Sequence, residues 1–235
     1  MLSDKQIDKY HRNILLSEIG VNGQETLLKS KVLVIGAGGL ASPSLIYLAS
    51  LGIGHITIVD DDIVSISNLP RQILYDEDDV GRKKVEVIKA KLEKKNKDIS
   101  IKILDTKINS SNALDIIKGH DIVLECSDDF TTKFVVNDAC LELNIPFVIA
   151  GVSDYQGQVC TCIPHKSQDF KSLFTILPEN KNKDLGVFPP SIGVISDIVV
   201  SEAVKCLLDF GELLLNKMLV VNLLDNKIRI IKFPE

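Results

Sequence analysis

The sequence predicts an α/β fold: a doubly wound, mostly parallel sheet that ends in an antiparallel C-terminal extension. Three observations carry this expectation. Short apolar runs recur at 31–36 (KVLVIG), 55–60 (HITIVD), 100–104 (SIKIL) and 121–126 (DIVLEC), as strands of a buried parallel sheet do. Helical segments stand between them, so successive strands are joined by crossovers. After residue 157 the pattern changes. Residues 158–163 alternate, and short runs at 218–222 and 227–232 flank a turn at 223–226.

Taken in order, residues 1–30 read as short helices. The first strand, 31–36, ends in glycine, and 36–41 is a glycine-rich turn that leads into a helix over 42–51. Gly54 interrupts, and 55–60 is a second strand with an acid at its end. Residues 61–79 are polar and aspartate-rich, without a clear period. A lysine-rich helix covers 81–97, with Val85, Ile88 and Leu92 on one face and the lysines as a solvated surface. Strands follow at 100–104, 121–126 and 146–151, with a helix over 130–143. Residues 164–191, rich in Lys, Asn, Asp and Pro, are expected to form a mobile loop. A helix over 192–208 places Ile195, Val199, Ala203 and Cys206 on one face.

Composition narrows the function classes. The 235 residues are 45% hydrophobic and 25% charged, which are globular values. The net charge of −5 gives no basic field toward nucleic acid or an anionic membrane. No run approaches the roughly 18 apolar residues of a membrane span. The N terminus lacks the apolar core of a signal peptide. Five scattered cysteines suit a reducing cytoplasm better than a disulfide framework.

Gly36-Ala37-Gly38-Gly39-Leu40-Ala41 fits G-x-G-x-x-G/A between a strand and a helix, a Rossmann-like phosphate turn. Gly36 makes the tight turn. Gly38 lets the backbone approach phosphate. Ala41 lets helix and strand pack closely. The helix start offers free N–H groups and partial positive charge to an anion. Asp60, nineteen residues beyond Ala41, can accept hydrogen bonds from ribose hydroxyls. NAD, FAD and ATP all fit these features.

The next segment separates them. Asn68, Arg71 and Gln72 lie eight to twelve residues beyond Asp60 and have no task in a nicotinamide enzyme. Arg71 offers a planar fork of donors suited to phosphate, and Lys84 a compact cation. Asp128 follows the fourth strand, at the sheet edge where ligands collect. One carboxylate with phosphate oxygens and water is a magnesium arrangement.

These residues sit within longer matching stretches, among them Tyr10-His11-Arg12-Asn13, Asp79-Val80-Gly81-Arg82-Lys83-Lys84 and Ser127-Asp128-Asp129-Phe130. The chain thereby resembles the MoeB/ThiF/HesA family of ATP-dependent adenylyltransferases, relatives of ubiquitin-activating enzymes. The resemblance implies one domain over 1–235: an N-terminal helical segment (1–30), a nucleotide-binding core (31–156) and a sheet extension (157–235). It implies that the cofactors are ATP and Mg2+, and that the partner is a small ubiquitin-like carrier with a Gly-Gly C terminus. It assigns Asp62 to the phosphates together with Asn68, Arg71, Gln72 and Lys84, places the metal at Asp128, and supplies Arg12 from the second subunit of a homodimer.

The chain departs from that family in several places. Many members hold zinc with two C-x-x-C pairs; here 171–174 reads KSLF, no C-x-x-C lies near the C terminus, and zinc is not expected. Cys160 and Cys162 read as small buried residues on one strand face. Several relatives use a cysteine shortly before a Gly-Val in the crossing loop. The matching position is Asn182, and no cysteine lies between 163 and 205, so a covalent step there is not supported. Asp129 replaces asparagine, adding charge near the metal, and Lys133 replaces arginine, losing its bidentate fork. Three other functions compete with carrier adenylation. They are adenylation of a ribosomal peptide as in the microcin-modifying relatives, a non-catalytic nucleotide-binding subunit, and an NAD-dependent oxidoreductase. The chain has little room for a separate peptide-binding domain, against the first. The retained charged set argues against the second and has no task in the third.

Overall fold

A computed structural model describes residues 1–173 and 186–233. Eight strands form one sheet in the order β3-β2-β1-β4-β5-β6-β7-β8. They are β1 (Lys31–Ile35), β2 (His55–Val59), β3 (Ser100–Leu104), β4 (Ile122–Glu125), β5 (Phe147–Ser153), β6 (Gln156–Cys162), β7 (Lys217–Asn222) and β8 (Lys227–Lys232). The first five pair in parallel, and β5 through β8 pair antiparallel. The doubly wound sheet with an antiparallel finish is therefore observed.

The parallel strands are apolar on both faces because both faces are covered. Val32 and Val34 of β1 join one core with α4 (Ala41–Leu51), α5 (Lys84–Lys95) and α8 (Pro189–Leu208). Leu33 and Ile35 join the other, with α6 (Ala113–Ile117) and α7 (Phe130–Leu143). In α8, Ile195, Val199 and Ala203 are buried and Cys206 half-buried, as the spacing predicts. Pro189 and Pro190 open that helix, where a missing N–H costs nothing.

The N-terminal helices α1 (Asp4–Lys9), α2 (His11–Ile14) and α3 (Gly20–Lys29) are held through Tyr10, between α1 and α2, and through Leu27 of α3, which joins the first core. Tyr10 is buried, donates its hydroxyl to Asp98 at 3.1 Å and accepts from Asn96 Nδ2 at 3.0 Å.

Some expectations shift. The helix expected from residue 81 begins at Lys84, because Gly81 has φ +88° and Lys83 is extended. Lys84 is not part of a solvated face; its side chain is 6% exposed. The five-residue α6 was too short to show a period. Within the expected 164–191 loop, Phe170 is buried in the second core and α8 already begins at Pro189. Residues 174–185, including Asn182, lie outside the described residues.

Candidate functional site

The strand order reverses between β1 and β4, so a crevice opens at their carboxyl ends. The glycine turn leaves β1 at this point. Gly36 has φ +93°, and a Cβ there would stand 3.2 Å from the Cys126 carbonyl and 3.3 Å from Ser127 N. That close approach seats the turn against the segment following β4. Around Gly38 a Cβ would meet, among the described residues, only Gln72 Nε2, at 3.7 Å. This open space fits the expected approach of a ligand. Gly39 has a different reason to be glycine: a Cβ would stand 2.9 Å from Ile192 Cδ1 of α8. The N–H groups of Gly38, Gly39 and Leu40 find no acceptor among the described residues. Ala41 is fully buried, as close helix–strand packing requires.

Asp60 follows β2 beside the turn. Its Oδ2 accepts from Ala37 N at 2.7 Å and its Oδ1 from Asp62 N at 2.8 Å. Burial raises its carboxyl above the ordinary aspartate range, against the two N–H bonds and the Lys84 charge. Asp62 pairs with Lys84 Nζ at 2.8 Å, which ties the start of α5 to the Asp60 loop. Tyr75 was not singled out from the sequence. Its buried hydroxyl donates to Ala37 O at 2.7 Å and braces the turn from below.

Arg71 and Gln72 approach from the segment after a 3₁₀ turn at Ile66–Asn68. Asn68 Oδ1 accepts from Ser65 N at 3.1 Å and shapes that turn. Arg71 donates one guanidinium nitrogen to Ser67 O at 2.7 Å and forms no ion pair with a described residue. Gln72 is buried, and its Oε1 has no hydrogen-bond partner among the described residues. A buried amide oxygen without a donor is costly. A hydroxyl, amine or water brought by a ligand would relieve it.

Asp128 is exposed, and its carboxylate makes no hydrogen bond or ion pair with a described residue. Its neighbours are held. Asp129 caps α7, accepting from Thr132 N at 3.0 Å and Thr132 Oγ1 at 2.9 Å. Its charge therefore serves the helix start as well as adding to the local field. Lys133, which lacks the bidentate fork of an arginine, is buried and ion-paired to fully buried Glu125. Burial raises the Glu125 carboxyl and Lys133 opposes that.

The contacts run unbroken from Lys84 through Asp62, Asp60 and the glycine turn to Ser127, next to Asp128. Arg71 joins through its carbonyl, 3.4 Å from a Cβ built on Gly39. Arg12, exposed on α2, is not brought into this chain of contacts. Free amides and an orphaned acceptor suit a nucleotide. A carboxylate unpaired among the described residues, beside a residue that lies against the glycine turn, suits a hard divalent cation.

The family model described as ThiF family matches residues 10–235. The chain belongs to the ThiF family. Among its relatives, this ThiF-family chain is 37% identical over 231 residues to the SAMP-activating enzyme E1 of Haloferax volcanii, covering 95% of the chain and 84% of that protein. It is 34% identical over 234 residues to the sulfur carrier protein adenylyltransferase of Thermus thermophilus, covering 96% of the chain and 86% of that protein. The fold is that of Escherichia coli MccB, a microcin C7 biosynthetic enzyme, in its structure with ATP. The TM-score is 0.87 at 28% identity, over 97% of the chain and 72% of MccB.

All five cysteines of this family member are free, and four are buried. Burial raises Cys126 to about 12 and Cys206 to about 11. A thiol so far above neutrality is a poor nucleophile. Among the described residues no three His, Cys, Asp or Glu side chains gather as a metal cluster.

Proposed function

We propose that the chain is an ATP- and Mg2+-dependent adenylyltransferase acting on the C-terminal carboxylate of a small ubiquitin-like sulfur carrier ending in Gly-Gly. One observation supports this most directly: the glycine turn, with three amides unpaired among the described residues, is bonded to the Asp60 carboxylate through Ala37 N and lies against Ser127, the residue before Asp128. An acceptor, free amide donors and an unpaired carboxylate are the groups that a ribose, its phosphates and a divalent cation would use. The names of the relatives at 34–37% identity supply the substrate class.

In this reading Asp60 accepts the ribose hydroxyls, and the Gly38–Leu40 amides take phosphate oxygens. Asn68 and Gln72 complete the phosphate cradle. Held at Asp128, Mg2+ would neutralise charge on the phosphates. The carrier carboxylate is already ionised at pH 7, so no general base is needed for its attack on the α-phosphorus. Arg71 and Lys84, the latter steadied by Asp62, stabilise the departing pyrophosphate. Arg12, exposed on α2, is free to reach the nucleotide of a second subunit in a homodimer. The product is a carrier acyl-adenylate. Four buried thiols and a raised Cys206 give no support to a later covalent step on the enzyme. The scattered free thiols fit a cytoplasmic setting. No described helix is long and apolar enough to cross a membrane.

Radiolabelled pyrophosphate exchange tests the proposal. Exchange stimulated by Gly-Gly-ending carriers and not by other peptides is the expected result. Exchange with a ribosomal peptide instead would favour the chemistry of MccB, the second reading that the fold match supports. ATP binding without exchange for any carboxylate would leave only a nucleotide-binding subunit.

Asp60 makes a further prediction. Its acceptor role needs the ionised form, and burial raises its carboxyl. ATP affinity is therefore expected to weaken on acidification at a pH above the ordinary aspartate value of about 3.9. In Asp60→Asn the affinity should be lower at pH 7 and lose that acid limb. An acid limb kept in Asp60→Asn would assign the titration to another group.

A further inference from the structure

The segment between β4 and α7 holds a buried ion pair whose bonds converge on one residue. Glu125 ends β4 with its side chain fully buried. Its Oε1 accepts from Ser127 N at 3.0 Å and from Ser127 Oγ, and its Oε2 accepts from Lys133. Lys133 Nζ also donates to Ser127 O at 2.7 Å and to Ala150 O of β5 at 2.9 Å. An ammonium has three protons, and all three are used. Ser127 is thus gripped at its N–H, its hydroxyl and its carbonyl.

Stability alone does not account for this arrangement. Burying two charges is costly, and well-packed apolar residues of the same size often serve as well. What apolar residues could not supply is the three bonds to Ser127. That residue is also set against Gly36 of the phosphate turn, where a Cβ would stand 3.3 Å from Ser127 N. On its far side, Asp129 is fastened to the first turn of α7. Asp128 alone in this segment leaves its carboxylate unbonded among the described residues.

We propose that the Glu125–Lys133 pair is a positioning device: it fixes the Ser127 backbone and so aims the Asp128 carboxylate at the divalent cation of a bound nucleotide. This rests on the nucleotide reading above. It also explains a lysine in place of an arginine. A tetrahedral ammonium can serve three acceptors in divergent directions, which a planar fork cannot do equally well.

The test uses the full chain with Glu125→Gln and Lys133→Met combined, which removes both charges while keeping volume. Mn2+ binding is followed by electron paramagnetic resonance in the presence of a non-hydrolysable ATP analogue. The analogue's affinity without metal and the unfolding midpoint are measured beside it. The expected result is a loss of Mn2+ affinity of about 10–100-fold, the range for supports of metal ligands. Metal-free analogue binding should be unchanged. Glu125→Asp with Lys133 retained, which keeps both charges and the three-proton donor, should show a smaller loss than the double variant. Unaltered Mn2+ affinity in the folded double variant overturns the proposal. So does an equal loss of analogue affinity with and without metal, because that marks general damage to the rim. If the double variant does not fold, Ser127→Ala removes one bond of the grip and must show the same selective loss in smaller measure. Because the readout is metal binding, failure of pyrophosphate exchange in the unaltered enzyme would sink the adenylation reading without touching this one.

Discussion

Asp128→Ala is expected to lower pyrophosphate exchange by about 100-fold or more, the scale for removing one preorganised charge-stabilising group. The carboxylate is exposed, so little stability should be lost, and the unfolding midpoint should stay within about 0.5 kcal/mol equivalent. The effect should appear as a raised metal requirement that excess Mg2+ relieves in part. Arg71→Ala should cost a comparable factor with no change in metal requirement, because its guanidinium acts on phosphate directly. Its bond to Ser67 O at 2.7 Å holds the fork in place but leaves donors unused. Asp61→Ala, an exposed acid beside the site, is the control and should exchange normally. Near-normal exchange in both Asp128→Ala and Arg71→Ala would remove the chemical basis of the proposed function.

Residues whose roles follow from local chain chemistry were legible in the sequence. Gly36 must turn sharply after a strand, and it does so at φ +93°. Asp60 ends the second strand and meets the turn through Ala37 N. Val85, Ile88 and Leu92 share a helix face and are buried. Roles that depend on distant partners were not legible. Gly39 is glycine because Ile192, far along the chain, packs over it. Lys84 is singled out in the sequence as a cation, but its burial and its pairing with Asp62 at 2.8 Å are not legible there. For Lys133 the sequence shows only the loss of an arginine's fork, because it does not show the directions of the acceptors Glu125, Ser127 O and Ala150 O. Arg12 remains assigned only by resemblance, since its proposed target belongs to a second subunit.

Gly54→Ala is expected to cost about 3 kcal/mol or more, at the upper end of overpacking effects. In the sequence Gly54 only interrupts a pattern. In the fold it is a crossing point. Its N–H donates to Leu27 O at 2.9 Å, and its carbonyl accepts from Ser100 N at 2.8 Å. It is thus bonded to the end of α3 on one side and the start of β3 on the other. A Cβ would stand 1.7 Å from Leu28 O and 2.5 Å from Leu28 C. No rotamer change relieves a clash with backbone. Either α3 lifts from the sheet, breaking the bonds Gly54 N to Leu27 O and His55 N to Ser30 O, or β2 shifts out of register with β1 and β3. For a chain of this size the loss corresponds to a fall of roughly 6–12 °C in Tm. Gly193→Ala provides the contrast. That glycine lies within α8, and a Cβ there would meet none of the described residues within 4 Å. It should gain about 0.5–1 kcal/mol from helix propensity and a less flexible unfolded chain. Equal Tm values for the two variants would show that α3 is not seated on Gly54 as described. The support of the N-terminal helices, and with it the placement of Arg12, would then have to be sought elsewhere.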